Sequence, residues 1–329
     1  MNLIDKYLTY VIAVRRYSRK TVEVYRNVLQ SFYAFAVPDK DVADADLLAP
    51  LNQSEIRQYI ASGMKKSEFG PRTANQHLSV LSGFCRFLVQ EGVMKSNPAR
   101  TVRRPKVEQR LPVFYKGEAL KKYFESTEYY ASSDSLIALK NEPSSTSAKE
   151  LYRKRLARLI VSMLYALGLR RSELISLSKA DVDFGRKVVH VKGKGNKMRE
   201  IPMIPSLCEE ILLYLEAVDA MVGRERSLKE PLMVTDSGRA LYPVYVDRAI
   251  KSELSDREGI TGQKSPHILR HSLATGLLDN GADLNSIKEL LGHSSLAATQ
   301  VYTHNSIAKL KAIYESAHPR AKNGGKDGH

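Results

Sequence analysis

At 329 residues the chain exceeds one ordinary core and accommodates two domains, and a hydrophobic share of 43% argues against disorder in either. Its 51 lysines and arginines outweigh 36 acidic residues, and the self-repulsion of the resulting +15 charge is most economically explained by a polyanionic partner. No stretch approaches the roughly 20 apolar residues of a membrane span, and the interrupted, amphipathic N-terminus excludes a signal peptide, so a soluble cytoplasmic protein is expected.

The first hundred residues read as helices alone. Leu3, Tyr7, Tyr10, Val11 and Val14 recur at helical spacing, and Ser18 is an N-cap for a second helix with Val22, Tyr25, Leu29, Phe32 and Phe35 on one side. Ser54 is read as the cap of a third helix carrying Ile56, Tyr59 and Ile60. Pro71 opens a fourth, which packs Leu78, Leu81, Phe84, Cys85 and Leu88. Arg15, Arg16, Arg19, Lys20, Lys65, Lys66 and Arg72 flank the helix starts, where they suit backbone phosphates, although each singly is ordinary solvated charge. Cys85 and Cys208, in different halves and without a metal-like partner nearby, read as small buried hydrophobes in a reducing compartment.

Residues 102–112 hold two prolines and four cations without periodicity, the mark of an exposed basic linker. A second domain over 113–320 opens with a helix near 116–126, followed by a Ser-rich stretch, 132–147, read as a surface loop. An apolar helix with Leu159, Ile160, Met163, Leu164 and Leu167 ends at Gly168. A β-meander follows: a strand over 180–184, a turn at Gly185-Arg186, a strand over 187–192, a turn at Gly193-Lys194-Gly195-Asn196 and a returning strand over 199–204. The remainder is helical, and 321–329 is a polar tail.

Phosphodiester transfer without a metal needs cations for the phosphate, a nucleophile and an acid for the leaving oxygen. His267 and Arg270 fall at i and i+3 ahead of a helical run, whereas His271 points elsewhere and reads as a structural hydrogen-bonding histidine. Arg170 follows the apolar helix directly, on a rigid mount, with Arg171 as its competitor. His293 lies in a turn, and a helix from Leu296 leads to Tyr302. Singly, an HxxR spacing or one of 17 tyrosines points to nothing; order and spacing carry the information.

That order, Leu164 to Leu174 around Gly168-Leu169-Arg170, then Gly193-Lys194-Gly195, His267-Ile268-Leu269-Arg270-His271, Leu291-Gly292-His293 and Val301-Tyr302-Thr303-His304, resembles the boxes of the tyrosine recombinases, the Xer-type enzymes most of all. The resemblance runs from Tyr17-Ser18-Arg19 to His318-Pro319-Arg320. It implies a mainly α, two-domain fold: a four-helix SAM-like core-DNA-binding bundle over 1–101, and a mixed α+β catalytic domain of the DNA breaking-rejoining type with a small antiparallel sheet. It makes Arg170 and Arg270 the phosphate clamp, Lys194 the general acid and His267 a proton-transfer partner of the nucleophile. His293 hydrogen-bonds the scissile phosphate, Tyr302 attacks it, and Glu173 orients its neighbours. No cofactor and no metal are implied. The partner is double-stranded DNA, engaged by a homotetramer on two sites, with or without a second recombinase, in the nucleoid. A bundle at the very start leaves no room for a separate arm-binding domain, and residues 307–314 suit a helix docking on a neighbouring protomer. Two rivals remain at this stage: type IB topoisomerase-like relaxation, and a catalytically inert architectural DNA-binding protein.

Overall fold

The computed structural model describes residues 2–37, 47–108, 113–193 and 197–292. The chain divides into two compact units, Met1–Leu111 and Pro112–His329.

The first unit is built from α1 (Leu3–Ala13), α2 (Arg19–Ala36), α3 (Gln53–Lys65) and α4 (Pro71–Gln90). Their apolar faces meet in one core in which Leu29, Phe32, Ile56, Leu81, Phe84 and Leu88 are wholly buried, together with the free thiol of Cys85. Ser18 caps α2, its Oγ accepting from the Thr21 N–H at 3.2 Å. The cap of α3 is Asn52 rather than Ser54. Its Oδ1 accepts from the Glu55 N–H at 2.9 Å, so Gln53 and Ser54 join the first turn. Asparagine and serine are equivalent caps, and the competition went to the residue whose backbone was already extended. Pro71 occupies the first turn of α4, where its missing N–H costs nothing. The basic segment after the bundle is not free throughout. Val102 is buried in the bundle core, Asn75 Nδ2 donates to the Pro105 carbonyl at 2.9 Å, and Arg104 Nη1 donates to Ser79 Oγ at 3.2 Å.

The second unit centres on a long helix. It begins with α5 (Gly117–Ser126), a single 3-10 turn (Glu128–Ala131), α6 (Ser133–Asn141) and the axial helix α7 (Thr146–Ala166). The stretch 132–147 is therefore not a surface loop but a helix and the start of another. Its serines act as caps: Ser132 Oγ accepts from the Ser135 N–H at 3.2 Å and Ser145 Oγ from the Ala148 N–H at 3.0 Å. Leu136 and Leu139 turn into the core, and buried Arg155 of α7 donates to the Ser132 carbonyl at 2.7 Å, fastening α6 down. A short helix, α8 (Arg171–Ser176), leads to the sheet. β1 (Val182–Asp183), β2 (Val188–Lys192) and β3 (Met198–Pro202) are antiparallel in sequential order, with Val191 opposite Arg199 and Lys192 opposite Met198. β1 is shorter than the alternation predicts because Lys179–Asp181 is a 3-10 turn tied to the segment 228–230. Next come α9 (Pro205–Val222), α10 (Pro243–Leu254), α11 (Pro266–Asp279) and α12 (Leu284–Leu291).

α7 packs against α6, α9, α10 and α11, which is why nearly every residue from Leu156 to Leu167 is buried. A chain buried on all sides tolerates charge only when it is paired. Arg158 of α7 meets Glu210 of α9 in such a pair, and Ser162 Oγ donates to the same carboxylate at 2.8 Å. Among the described residues no helix is long and apolar enough to cross a membrane.

Candidate active site

The site begins where α7 ends. Gly168 has φ +58°, a left-handed conformation that reverses the chain, returns Leu169 to the core and delivers Arg170 to the start of α8. The Arg170 N–H donates to Glu173 Oε2 at 2.9 Å and its Nη1 to Glu173 Oε1 at 2.6 Å. Arg171, its sequence competitor, turns away to pair with Asp247 of α10. Arg270 enters from α11, whose first turn holds Pro266. It is buried, and its Nη1 donates to the Gly168 carbonyl at 2.5 Å, so it closes the end of α7.

These guanidiniums meet at the C-terminus of α12. The last carbonyls of a helix have no partner within it and form the negative end of its dipole, so cations are favoured there. Here each of the last three is held by a different arginine. Arg199 Nε donates to Leu290 O at 3.1 Å, Arg270 Nη2 to Leu291 O, and Arg170 Nη2 to Gly292 O at 3.1 Å. Gly292, with φ +64°, ends the helix beneath them.

Arg199, on β3, which the alternation makes only part of a returning strand, is buried like Arg270 and Glu173. Its Nη1 and Nη2 donate to Glu173 Oε1 and Oε2 at 3.1 and 2.9 Å. A signal for it existed: alternation puts Arg199 on the same strand face as wholly buried Ile201, where a charge must find a partner. Glu173 thus accepts four N–H bonds, two from Arg170 and two from Arg199. Burial pushes its carboxyl up, but the hydrogen bonds from Arg199 and Arg170 outweigh this and hold it below the ordinary carboxylate value. Burial, then the neighbouring Arg170, push the Arg270 guanidinium down to about 10, which leaves it cationic at neutral pH. Among the described residues of the cluster three guanidiniums face one carboxylate, an excess of two positive charges that attracts an anion.

Of the residues expected from sequence, Arg170 and Arg270 are brought together, and His267 lies one turn before Arg270 on α11 with its side chain exposed. His271 packs edge-on against the Phe114 ring at 6.2 Å. Lys194, His293 and Tyr302 lie outside the described residues, as does the segment 307–314. Two of them adjoin described ones: the Gly193 N–H donates to the Lys197 carbonyl at 2.8 Å across the hairpin, and Gly292 directly precedes His293.

The described architecture has close counterparts among known proteins. Residues 124–309 match the model of the phage integrase family, and residues 4–92 match the phage integrase N-terminal SAM-like domain. The tyrosine recombinase XerC of Chlorobaculum parvum is 33% identical over 329 aligned positions, covering 97% of this chain and 94% of the relative. The XerC of Bacillus pumilus is likewise 33% identical, covering 97% of each. Among solved structures, the integrase of transposon Tn1549 in complex with transposon right-end DNA superposes with a TM-score of 0.64 at 15% identity, covering 94% of this chain and 98% of that one. A lambda integrase tetramer bound to a Holliday junction gives 0.58 at 19%, covering 91% and 80%. A family model over more than half of the chain and relatives one-third identical from end to end place the protein in the phage integrase family, among the Xer-like tyrosine recombinases.

Proposed function

We propose that this protein is a site-specific recombinase that cleaves and rejoins duplex DNA through a 3′-phosphotyrosyl intermediate. The observation that carries the reading is the convergence of Arg170 and Arg270, a hundred residues apart in sequence, on the carbonyls of Gly292 and Leu291, immediately before His293. Two guanidiniums fixed by their own hydrogen bonds and carrying excess positive charge suit a phosphate diester, whose planar pairs of oxygens match the guanidinium fork.

In the proposed reaction the Tyr302 hydroxyl attacks the scissile phosphorus. The Oη–P bond forms as the P–O5′ bond breaks, the phenolic proton passes to His267, and Lys194 protonates the departing 5′-oxygen. Arg170, Arg270 and His293 offset the charge that develops on the non-bridging oxygens. A phenol has a pKa of about 10, so it needs both an acceptor and a cationic surround to react at neutral pH. Rejoining is the reverse, with the 5′-hydroxyl of a partner strand as nucleophile, and the energy of the phosphodiester is retained throughout. The partner is double-stranded DNA, and four protomers on two sites supply the four cleavages that exchange of two duplexes requires. The division into a DNA-binding bundle over 1–101, a basic linker over 102–112 and a catalytic domain over 113–320 belongs to the same proposal.

The test is covalent capture. Wild-type protein incubated with genomic DNA and denatured should yield protein–DNA adducts whose sequencing gives the target site, and Tyr302→Phe should bind DNA yet give none. Adducts formed by the Phe variant would move the nucleophile to another tyrosine, and their absence from the wild type would refute the reading.

A further inference from the structure

Arg170 and Arg199 share one carboxylate but occupy it differently. Arg199 is almost wholly enclosed, at 6% exposure, and all three of its guanidinium nitrogens are committed: Nε to Leu290 O, Nη1 and Nη2 to Glu173. It has neither a free face nor a free nitrogen for a phosphate. The Arg170 side chain, by contrast, is 37% exposed and gives Glu173 a single Nη, leaving its outer face open to solvent. The chain makes room for the enclosed arginine at Gly292, where a Cβ would lie 3.2 Å from Arg199 Nη1.

Glu173 by itself is a liability for anion binding. A buried carboxylate beside Arg170 cancels the charge that a phosphate would meet, and with no other cation in reach it would draw both Arg170 Nη groups onto itself. Arg199 removes that conflict. With it the cluster holds three cations against one anion; without it, two against one, so half of the excess charge disappears. We infer that Arg199 is a positioning residue for strand cleavage: it neutralises Glu173, so that Glu173 orients Arg170 without consuming the charge Arg170 offers to the scissile phosphate. The same guanidinium ties β3 to the end of α12, so it also fixes where that charge sits. A role in stability alone fits less well, because a buried ion pair is often no more stabilising than apolar residues of the same volume.

The inference rests on the recombinase reading above, and its test separates the two. Adduct formation is measured in single turnover on a nicked duplex bearing the site captured with wild-type protein. It is measured again on the same duplex with an uncharged methylphosphonate at the scissile position. Arg199→Met should slow cleavage of the phosphate substrate by about 10²-fold, the scale of a misplaced catalytic group, but slow the methylphosphonate by less than about tenfold, because a neutral centre does not need the missing charge. Because Arg199→Met strands a buried carboxylate and threatens the fold, the double variant Arg199→Met/Glu173→Gln, which removes both charges and restores the excess, serves as the second arm. It should cleave the phosphate substrate faster than Arg199→Met does. Equal slowing on both substrates, or a double variant slower than the single one, would overturn the assignment and leave Arg199 as scaffold only. No adduct from the wild type on either duplex would overturn the recombinase reading itself, and this inference with it.

Discussion

Gly168→Ala tests the joint between α7 and the arginine cluster. At φ +58° an alanine costs about 1–2 kcal/mol in backbone strain alone. Space adds to this, since the new Cβ would lie 2.5 Å from Leu291 Cδ2 and 3.0 Å from Leu273 Cδ2, forcing α12 or α11 to give way. Overpacking of this kind costs about 1–3 kcal/mol, so the whole effect should be roughly 2–5 kcal/mol. Gly223 supplies the control: it ends α9 at φ +71° with nothing within 4 Å of its would-be Cβ, so Gly223→Ala should show only the backbone part, about 1–2 kcal/mol. Urea unfolding followed by a probe in the second unit would report the two as shifts in midpoint at unchanged slope. Because Leu291 carries the carbonyl that Arg270 holds, Gly168→Ala should also slow adduct formation where Gly223→Ala does not. Equal destabilisation by the two substitutions would refute the claim that close packing against α11 and α12, in addition to backbone handedness, dictates glycine at 168.

Three further outcomes follow from the same chemistry. Glu173 is held below its ordinary value of 4.5 in the folded protein, so the unfolded chain binds the proton more readily and the ionised form supports the fold. That support is complete above the unfolded value and is lost as pH falls through the folded one; Glu173→Gln should therefore lose less stability than the wild type on acidification below about pH 4.5, and parallel acid curves would contradict it. Lys194→Ala should cleave ordinary DNA about 10²–10⁴-fold more slowly but recover on DNA with sulfur at the 5′-bridging position, which leaves without a proton, whereas Arg170→Ala should not recover. Equal rescue of both would take the acid's role from Lys194. With a formal charge of +15, affinity for duplex DNA should fall along a log–log salt line whose slope is about −0.9 per neutralised phosphate, and a flat line would exclude a charged clamp.

Sequence by itself determined the parts whose cause is local. The helical periods of the bundle apart from the exposed Val14 and Phe35, the cap Ser18, the helix start at Pro71, the apolar run of α7 ending at Gly168 and the turn at Gly185-Arg186 are each set by interactions within a few residues, and all were legible. The pairing of His267 with Arg270 on one helix, and the order of boxes that marks the family, were legible for the same reason. Local signals fail where two uses of one residue type compete. Serine serves turns and N-caps alike, so 132–147 read as a loop until Leu136, Leu139 and the buried Arg155 showed which use the packing favoured. The α3 cap went to Asn52 rather than Ser54 because asparagine and serine compete equally for that place. The contacts that hold the arginine cluster were beyond local reading, because Arg170 meets Gly292 across 122 residues and Arg199 meets Leu290 across 91. Only the packing of α7, α8, β3, α11 and α12 around one core brings those groups within hydrogen-bonding distance. A buried charge cannot remain unpaired there; Glu173 was legible in its box, whereas only the tertiary structure decided that Arg199 is its second partner and belongs to the site.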